Sequence, residues 1–359
     1  MKNIKVYLLL FISSLTIVSC EDDVNPGEDV GISNDFELES RLIVTNEGDY
    51  SGEPVGSLTY LFKDDDGSLQ IENNPFFNTN ISVLGSVLQD AAIYQDTIMY
   101  CVMNGSAKVE VVNLNTFERI SSITTNLNPR NISIVGDKAY LTTWGGGDKN
   151  GTEVQIIDLT DNTINGTIET SNGPEDVVSN DTYTFVSCAN YGVWGSPNDT
   201  VYVVSNSDNS IYKKIHVGLS PRSMTFDADG NVWVYASEND NQHFTVINGD
   251  ASDTIKTMST SQGYPYNVKI TSYEEFIYFI GNDGIYRLDK DDTEIPASPF
   301  IAGSFYGLGI DTNTGNIFVG TYNYSTQITG SAVEVYSSDG DEISTFSAGI
   351  GPNGFYFFD

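Results

Sequence analysis

Residues 351–359 read GPNGFYFFD, an aromatic, strand-like run with no polar tail behind it. A chain end frays unless something ties it down. The run is therefore expected to pair with another strand, and the search for its partner decides the fold. Six internal stretches share one plan: LQDAAIYQDTIMYCVMN (88–104), NPRNISIVGDKAYLTTW (128–144), GPEDVVSNDTYTFVSCAN (173–190), SPRSMTFDADGNVWVYASE (220–238), YPYNVKITSYEEFIYFIGN (264–282) and FYGLGIDTNTGNIFVGTYN (305–323). Each is a strand, a turn rich in Gly, Asp or Asn, and a second strand. Anchors at Gln89, Pro129, Pro174, Pro221, Pro265, Tyr306 and Pro352 lie 40 to 47 residues apart. Such a period, with several strands per unit, is the spacing of a β-propeller.

A third strand follows in each unit, as in EVQIIDL (153–159), and a fourth after another Asp/Asn/Gly turn. The last unit has only its first strand. Its missing strands stand near the start: RLIVTNEG (41–48), GSLTYLF (56–62) and SLQIEN (68–73). The tail is thus expected to pair with the region near residue 43 and shut the ring, which removes exposed edges. The predicted fold class is all-β: one seven-bladed propeller over 41–359. Its four-stranded blades are 41–85 with 352–359, then 87–127, 129–172, 174–219, 221–263, 265–303 and 306–350. Each second strand carries an aromatic at a matched position, Tyr100, Tyr140, Phe185, Trp233, Tyr278 and Phe318. This repetition is read as blade-to-blade packing.

Composition agrees. Aromatics make up 12% of 359 residues, Gly numbers 33, and charged residues are only 18%, a supply for strands and turns. The formal net charge of −33 repels phosphate backbones, which argues against nucleic acid as a partner. Met1–Lys5 is basic, and residues 6–18 form an apolar core too short to span a membrane. LTIVSC (15–20) resembles a bacterial lipobox, which implies a signal peptide over 1–19 and a lipid on Cys20; ordinary secretion with a free Cys20 is the competing reading. On the first reading the only membrane contact is that lipid anchor. Residues 20–40 are acidic and are expected to form a solvated tether. The acidic run after Cys20 also resembles the surface-export signal of Bacteroidetes lipoproteins, and a plain linker has the same composition. Cys101 and Cys188 fall in non-adjacent repeats and are expected to be buried thiols rather than a disulfide.

Antiparallel blades sort the loops onto two faces. The turns from strand one to two and from three to four are short and rich in Asp, Asn and Gly, as such turns require. DDDG (64–67) and DADGN (227–231) lack the spacing and distal Glu of a calcium loop. On the opposite face, long loops join strands two and three at 47–55, 144–151, 189–199 and 322–331. They carry Tyr50, Trp144, Tyr191, Trp194, Tyr322 and Tyr324. The lead-ins to strand one add Arg130, Asn131, Glu175, Asp176, Arg222, Tyr266, Asn267, Tyr306 and Asn353 around the central mouth. Exposed aromatics with a few charges on long loops point to a binding surface. Rings packed on their own loops are the competing reading. Arg130 and Arg222 match the needs of an acidic or phosphate group, or cap loop carbonyls.

Catalytic and cofactor motifs are lacking. The two histidines, His216 and His243, fall in successive units at different strand positions, and no Cys pair has zinc spacing. No nucleophile elbow or phosphate-cradling loop occurs, so neither a cofactor nor a metal is expected. Asp90, Glu175 and Asp176 are expected near the mouth, where a pair could do acid–base work; the chain is nonetheless read as no enzyme. Asp96-Thr97-Ile98, Asp199-Thr200-Val201 and Asp253-Thr254-Ile255 resemble the O-glycosylation sequon of exported Bacteroidetes proteins, and coincidence in an Asp- and Thr-rich chain accounts for them as well.

The units PRNISIVGDKAYLTTWG and SPRSMTFDADGNVWVYAS resemble those of YncE-like seven-bladed propellers, over essentially all of 41–359. That group includes Bacteroidetes surface lipoproteins of a type that captures vitamin B12 on top of a TonB-dependent transporter. The resemblance implies an outer-membrane, outward-facing capture protein for nutrient uptake, with a corrinoid as candidate ligand. A glycan- or protein-binding adhesion module and a lactonase-like propeller enzyme are the alternatives.

Overall fold

The computed structural model describes residues 36, 38–49, 55–125, 127–144, 152–189, 197–238, 241–261, 263, 265, 267–322 and 331–359. The chain is a seven-bladed β-propeller of four-stranded antiparallel blades. The expected closure is present. Strand Pro352–Phe358 pairs with Arg41–Asn46, with Val44 opposite Phe355 and Ile43 opposite Tyr356. The first blade runs Pro352–Phe358, Arg41–Asn46, Ser57–Lys63 and Leu69–Asn73 from the axis outward. The only described helix, Pro75–Asn80, lies between this blade and the next, with Phe76 fully buried.

Burial follows strand position. Second strands such as Lys138–Thr143 are buried on both faces, whereas outer strands such as Thr163–Glu169 alternate between exposed and partly buried residues. The apolar core is therefore seven wedges instead of one centre. Each cluster joins two neighbouring blades, and the seventh joins the last blade to the first through Phe318, Val333, Leu42 and Val44. The six matched aromatics sit in these wedges at 1% exposure or less. Ile43 holds the equivalent place in the first blade and packs in the wedge with the second, where Phe76, Tyr356 and Phe358 supply rings, while Phe355 and Phe357 lie 5.9 and 5.2 Å from Phe318 in the seventh wedge.

Polar bonds reinforce the junctions at two radii. Near the axis, a side chain from one innermost strand or its lead-in bonds the backbone of the next blade. Asn353 donates to the Leu88 carbonyl (2.9 Å), Asn131 to that of Glu175 (2.8 Å) and Asn267 to that of Tyr306 (2.6 Å). Asp90, Asp176 and Ser223 accept from the backbone N–H groups of Ile132, Met224 and Ile270. At the seventh junction the innermost strands meet through glycines. Gly307 and Gly320 face each other across two strands, and a Cβ on either would strike the Pro352 carbonyl. Further out, cations reach forward to the acidic turn of the next blade. Lys213 donates to the carbonyls of Ala251 and Ser252, Lys256 to those of Lys290 and Asp292, and Arg287 to that of Ser338. Lys138 reaches Asn206 and Asn209, and Arg41 reaches Asn115.

Three details differ from the sequence reading. The stretch expected as a solvated tether packs before its boundary at 40: Phe36 and Leu38 are buried, and the Phe36 ring meets Phe318 edge-on at 5.4 Å. Their alternation with Glu37 and Glu39 is a half-buried strand pattern that the acidic composition hides. The repeat anchors also shift. Leu88 opposite Met103 takes the place that Pro129 opposite Thr143 takes, one residue before Gln89. In the sixth blade Thr271 lies opposite Tyr278 as Ser133 lies opposite Tyr140, so Lys269, and not Asn267, matches Asn131. Cys101 and Cys188 are free and buried, as expected. Cys20 and residues 1–35 lie outside the described residues.

Deletion of 352–359 is expected to unseal the seventh wedge and expose strand Arg41–Asn46, giving aggregation and loss of the cooperative melt. Gly320→Val is expected to lower stability by about 1–3 kcal/mol through overpacking against Pro352. A denaturant melt unchanged by Gly320→Val contradicts the seam geometry.

Candidate functional site

The innermost strands surround an axial channel with a cavity of about 340 Å³. How its charged residues come to face the axis follows from the lead-ins. In five blades the pairing of strands one and two slips just after the first residue, between Leu88 and Asp90, Pro129 and Ile132, Pro174 and Val177, Pro221 and Ser223, and Pro352 and Gly354. Proline is tolerated at a strand's first residue, where no ladder donor is needed. The slip is a bulge, which breaks the strict alternation of side chains. Consecutive residues, Arg130 with Asn131 and Glu175 with Asp176, therefore both line the channel.

At the mouth, Arg130 is held on three sides. Its guanidinium pairs with Glu175 at 2.7 Å, donates to Gln89, and lies 3.8 Å from the centre of the Trp144 ring. The pair is nearly buried, with side-chain exposures of 11% and 5%, and the second oxygen of Glu175 has no hydrogen-bond partner among the described residues. The Trp144 N–H bonds the Asn128 carbonyl, which fixes the start of the loop beside the lead-in. Across the mouth, Tyr306 donates to Glu47, and its ring packs against Tyr322 at 5.2 Å. Glu47 also accepts the Leu88 N–H through its carbonyl, so this loop touches two blades. Burial raises the Glu47 carboxyl above its ordinary range, against the hydrogen bond from Tyr306 and the charges of Arg130 and Lys269.

Deeper in the channel stand Asp90 and Asp176. Asp90 accepts from the Ile132 N–H at 2.9 Å and from the Tyr356 hydroxyl at 2.8 Å. Burial raises it despite Lys269 and these bonds. Asp176 is pushed up to about 7, first by burial and then by the charge of Asp90. Two desolvated carboxyls in one low-dielectric space cannot both ionise freely. Lys269 enters the same space from the sixth blade.

Of the residues singled out in sequence, Arg130, Asn131, Glu175, Asp176, Arg222, Asn267 and Asn353 line the channel, and Trp144, Tyr306 and Tyr322 gather at its mouth. The side chains of Asn131, Asp176, Asn267 and Asn353 are engaged in blade-to-blade bonds. Tyr50, Tyr191, Trp194, Tyr266 and Tyr324 lie outside the described residues. Sequence reasoning passed over Glu47, Lys269 and Tyr356. The slip of the anchor at Pro265 concealed Lys269, while the strict alternation of the closing strand could have found Tyr356. His216 lies 3.1 Å from Asp199 on the surface, and burial lowers the pKa of His243. Among the described residues no group of three His, Cys, Asp or Glu is placed to hold a metal ion.

Fold and site together define a seven-bladed β-propeller with a charge-lined axial channel and an aromatic mouth. The chain belongs to the DUF5074 family, described as a domain of unknown function, whose model matches residues 41–358. Similar solved structures include a functionally unknown protein from Desulfotomaculum acetoxidans, at 13% identity over 89% of this chain and 99% of that one, with a TM-score of 0.66. A quinonprotein alcohol dehydrogenase-like protein from Bacteroides thetaiotaomicron is 15% identical over 89% of this chain and 91% of its own, with a TM-score of 0.60. AztD from Citrobacter koseri is 11% identical over 90% and 99%, with a TM-score of 0.54. At these identities the likeness is one of fold alone. A search of curated proteins finds no match.

The raised carboxyls set a pH dependence. The unfolded carboxyl of Asp176 titrates near 3.9 and the folded one near 7, so the folded chain binds more protons in between. Stability is therefore expected to fall as pH rises from about 4 to about 7, by at most about 1.4 kcal/mol per pH unit for this group. Self-repulsion of the −33 net charge acts in the same direction. Asp176→Asn, which keeps an acceptor for the Met224 N–H, isolates the carboxyl and is expected to flatten the slope. An unchanged slope in melts across this range removes Asp176 as the source.

Proposed function

We propose that the protein is a non-catalytic capture protein, displayed on the outer surface of a bacterial cell by a lipid on Cys20, that binds its ligand at the propeller mouth. The observation that carries this reading is the mouth cluster. Arg130 is fixed by Glu175, Gln89 and the Trp144 ring before any ligand arrives, so little side-chain freedom is lost on binding. The lipobox-like LTIVSC supports the location. The YncE-like units support nutrient uptake beside a TonB-dependent transporter and a corrinoid as ligand. A corrinoid is broad and partly apolar, which suits the rings of Trp144, Tyr306 and Tyr322 at the mouth.

Asp90 and Asp176 favour a second reading, a lactonase-like enzyme, because Asp176 titrates near neutrality. Against it, each carboxylate already accepts two hydrogen bonds from the fold.

Titration calorimetry with cyanocobalamin tests the first reading. Binding is expected, with Trp144→Ala weakening it by at least about tenfold, or 1.4 kcal/mol. Ligand at a hundred times Kd is expected to raise stability by about 2.7 kcal/mol. Binding of polysaccharide and not of cobalamin replaces capture of a corrinoid with glycan adhesion. Turnover of a lactone that is lost in Glu175→Gln replaces it with catalysis.

A further inference from the structure

Below the mouth, the channel sorts its charges by blade. Arg130 and Glu175 neutralise each other on the third and fourth blades. The other charged groups lining the channel are placed asymmetrically. Asp90 and Asp176 flank the third blade, and Arg222 and Lys269 stand on the fifth and sixth. In a seven-membered ring the second blade, with Asp90, stands opposite the fifth and sixth. Asp90 on one wall thus faces the two cations on the other, while Asp176 lies on the fourth blade beside Arg222.

Lys269 is the unusual member of the set. It lines the channel and is only half-buried, yet its ammonium makes no hydrogen bond or ion pair among the described residues. Its charge acts on Glu47, Asp90 and Asp176 from a distance. The other lysines that reach between blades are all engaged at their ammonium groups, on turn carbonyls. A cation left open in a partly desolvated cavity is costly unless a ligand completes it. The cavity of about 340 Å³ falls within the usual size of small-molecule sites, about 300–1,000 Å³.

We propose that the axial channel is a second binding site, for a small zwitterion of the amino-acid class. Its carboxylate sits against Lys269 on the Arg222 side, and its ammonium sits toward Asp90. Neutrality overall matters for access. With a net charge of −33 the protein repels small anions, and a simple cation would gather on the acidic turns as readily as in the lumen. A zwitterion escapes both effects and gains from each wall. This site goes beyond the capture reading and stands whatever ligand the mouth takes.

The test is calorimetry with glycine, 4-aminobutyrate and 6-aminohexanoate, whose charges lie progressively further apart. Butylamine and butyrate serve as single-charge controls. At least one zwitterion is expected to bind at least about tenfold more tightly than either control. Lys269→Met, which removes the charge but breaks no side-chain hydrogen bond, is expected to abolish that preference while a cooperative melt is kept in the absence of ligand. Lys269→Arg is expected to retain it. If the three zwitterions bind no better than the controls, or if Lys269→Met binds the favoured probe as the wild type does, the proposal is overturned.

Discussion

Every apolar cluster in this protein belongs to two blades. Trp233 and Phe244 of the fifth blade meet Val268 and Phe279 of the sixth, and the same sharing recurs at each junction. A lone blade would leave both broad faces in water, since burial of apolar area is the main source of stability. Opening the ring at its seam exposes the seventh wedge, and the pairing of Pro352–Phe358 with Arg41–Asn46 completes the first blade that keeps that wedge closed. The last junction is also built differently. Gly307, Gly309 and Gly320 bring two backbones close where the other junctions use a side-chain bond. Close packing there acts beside the bond from Tyr306 to Glu47 at the mouth.

Much of this was legible from spacing. A repeated aromatic, a repeated turn and a displaced set of strands fix blade number and closure, because wedge packing demands the same residue at the same strand position each time. Legibility stopped where a lead-in changed length. Proline marks the start of most innermost strands, but in the sixth blade the matched residues come two positions later, and Lys269 stayed hidden. Phe36 and Leu38 were lost for another reason: two apolar residues in an acidic run look like linker until Phe318 is found beneath them.

The mouth shows the same limit in chemical terms. Asn131, Asp176 and Asn267 read as ligand contacts because polar residues around a pore usually face something that binds. Their partners are backbone groups of the next blade, which no sequence displays. Arg130 and Trp144 were both legible as mouth residues, but their stacking depends on the bond from the Trp144 backbone N–H to the Asn128 carbonyl, which holds Trp144 beside the lead-in. The axial polar groups thus divide into those that hold the ring together and those that face the lumen.

The cationic struts between blades give the molecule an uneven response to ionic strength. Its attractions are short contacts of Lys213, Lys256 and Arg287 with carbonyl dipoles. Its repulsions are long-range, spread over an excess of carboxylates. Dissolved ions screen charges beyond about 10 Å at 0.1 M and leave close contacts largely intact. Brine therefore quiets the repulsion in this ring while sparing its fastenings.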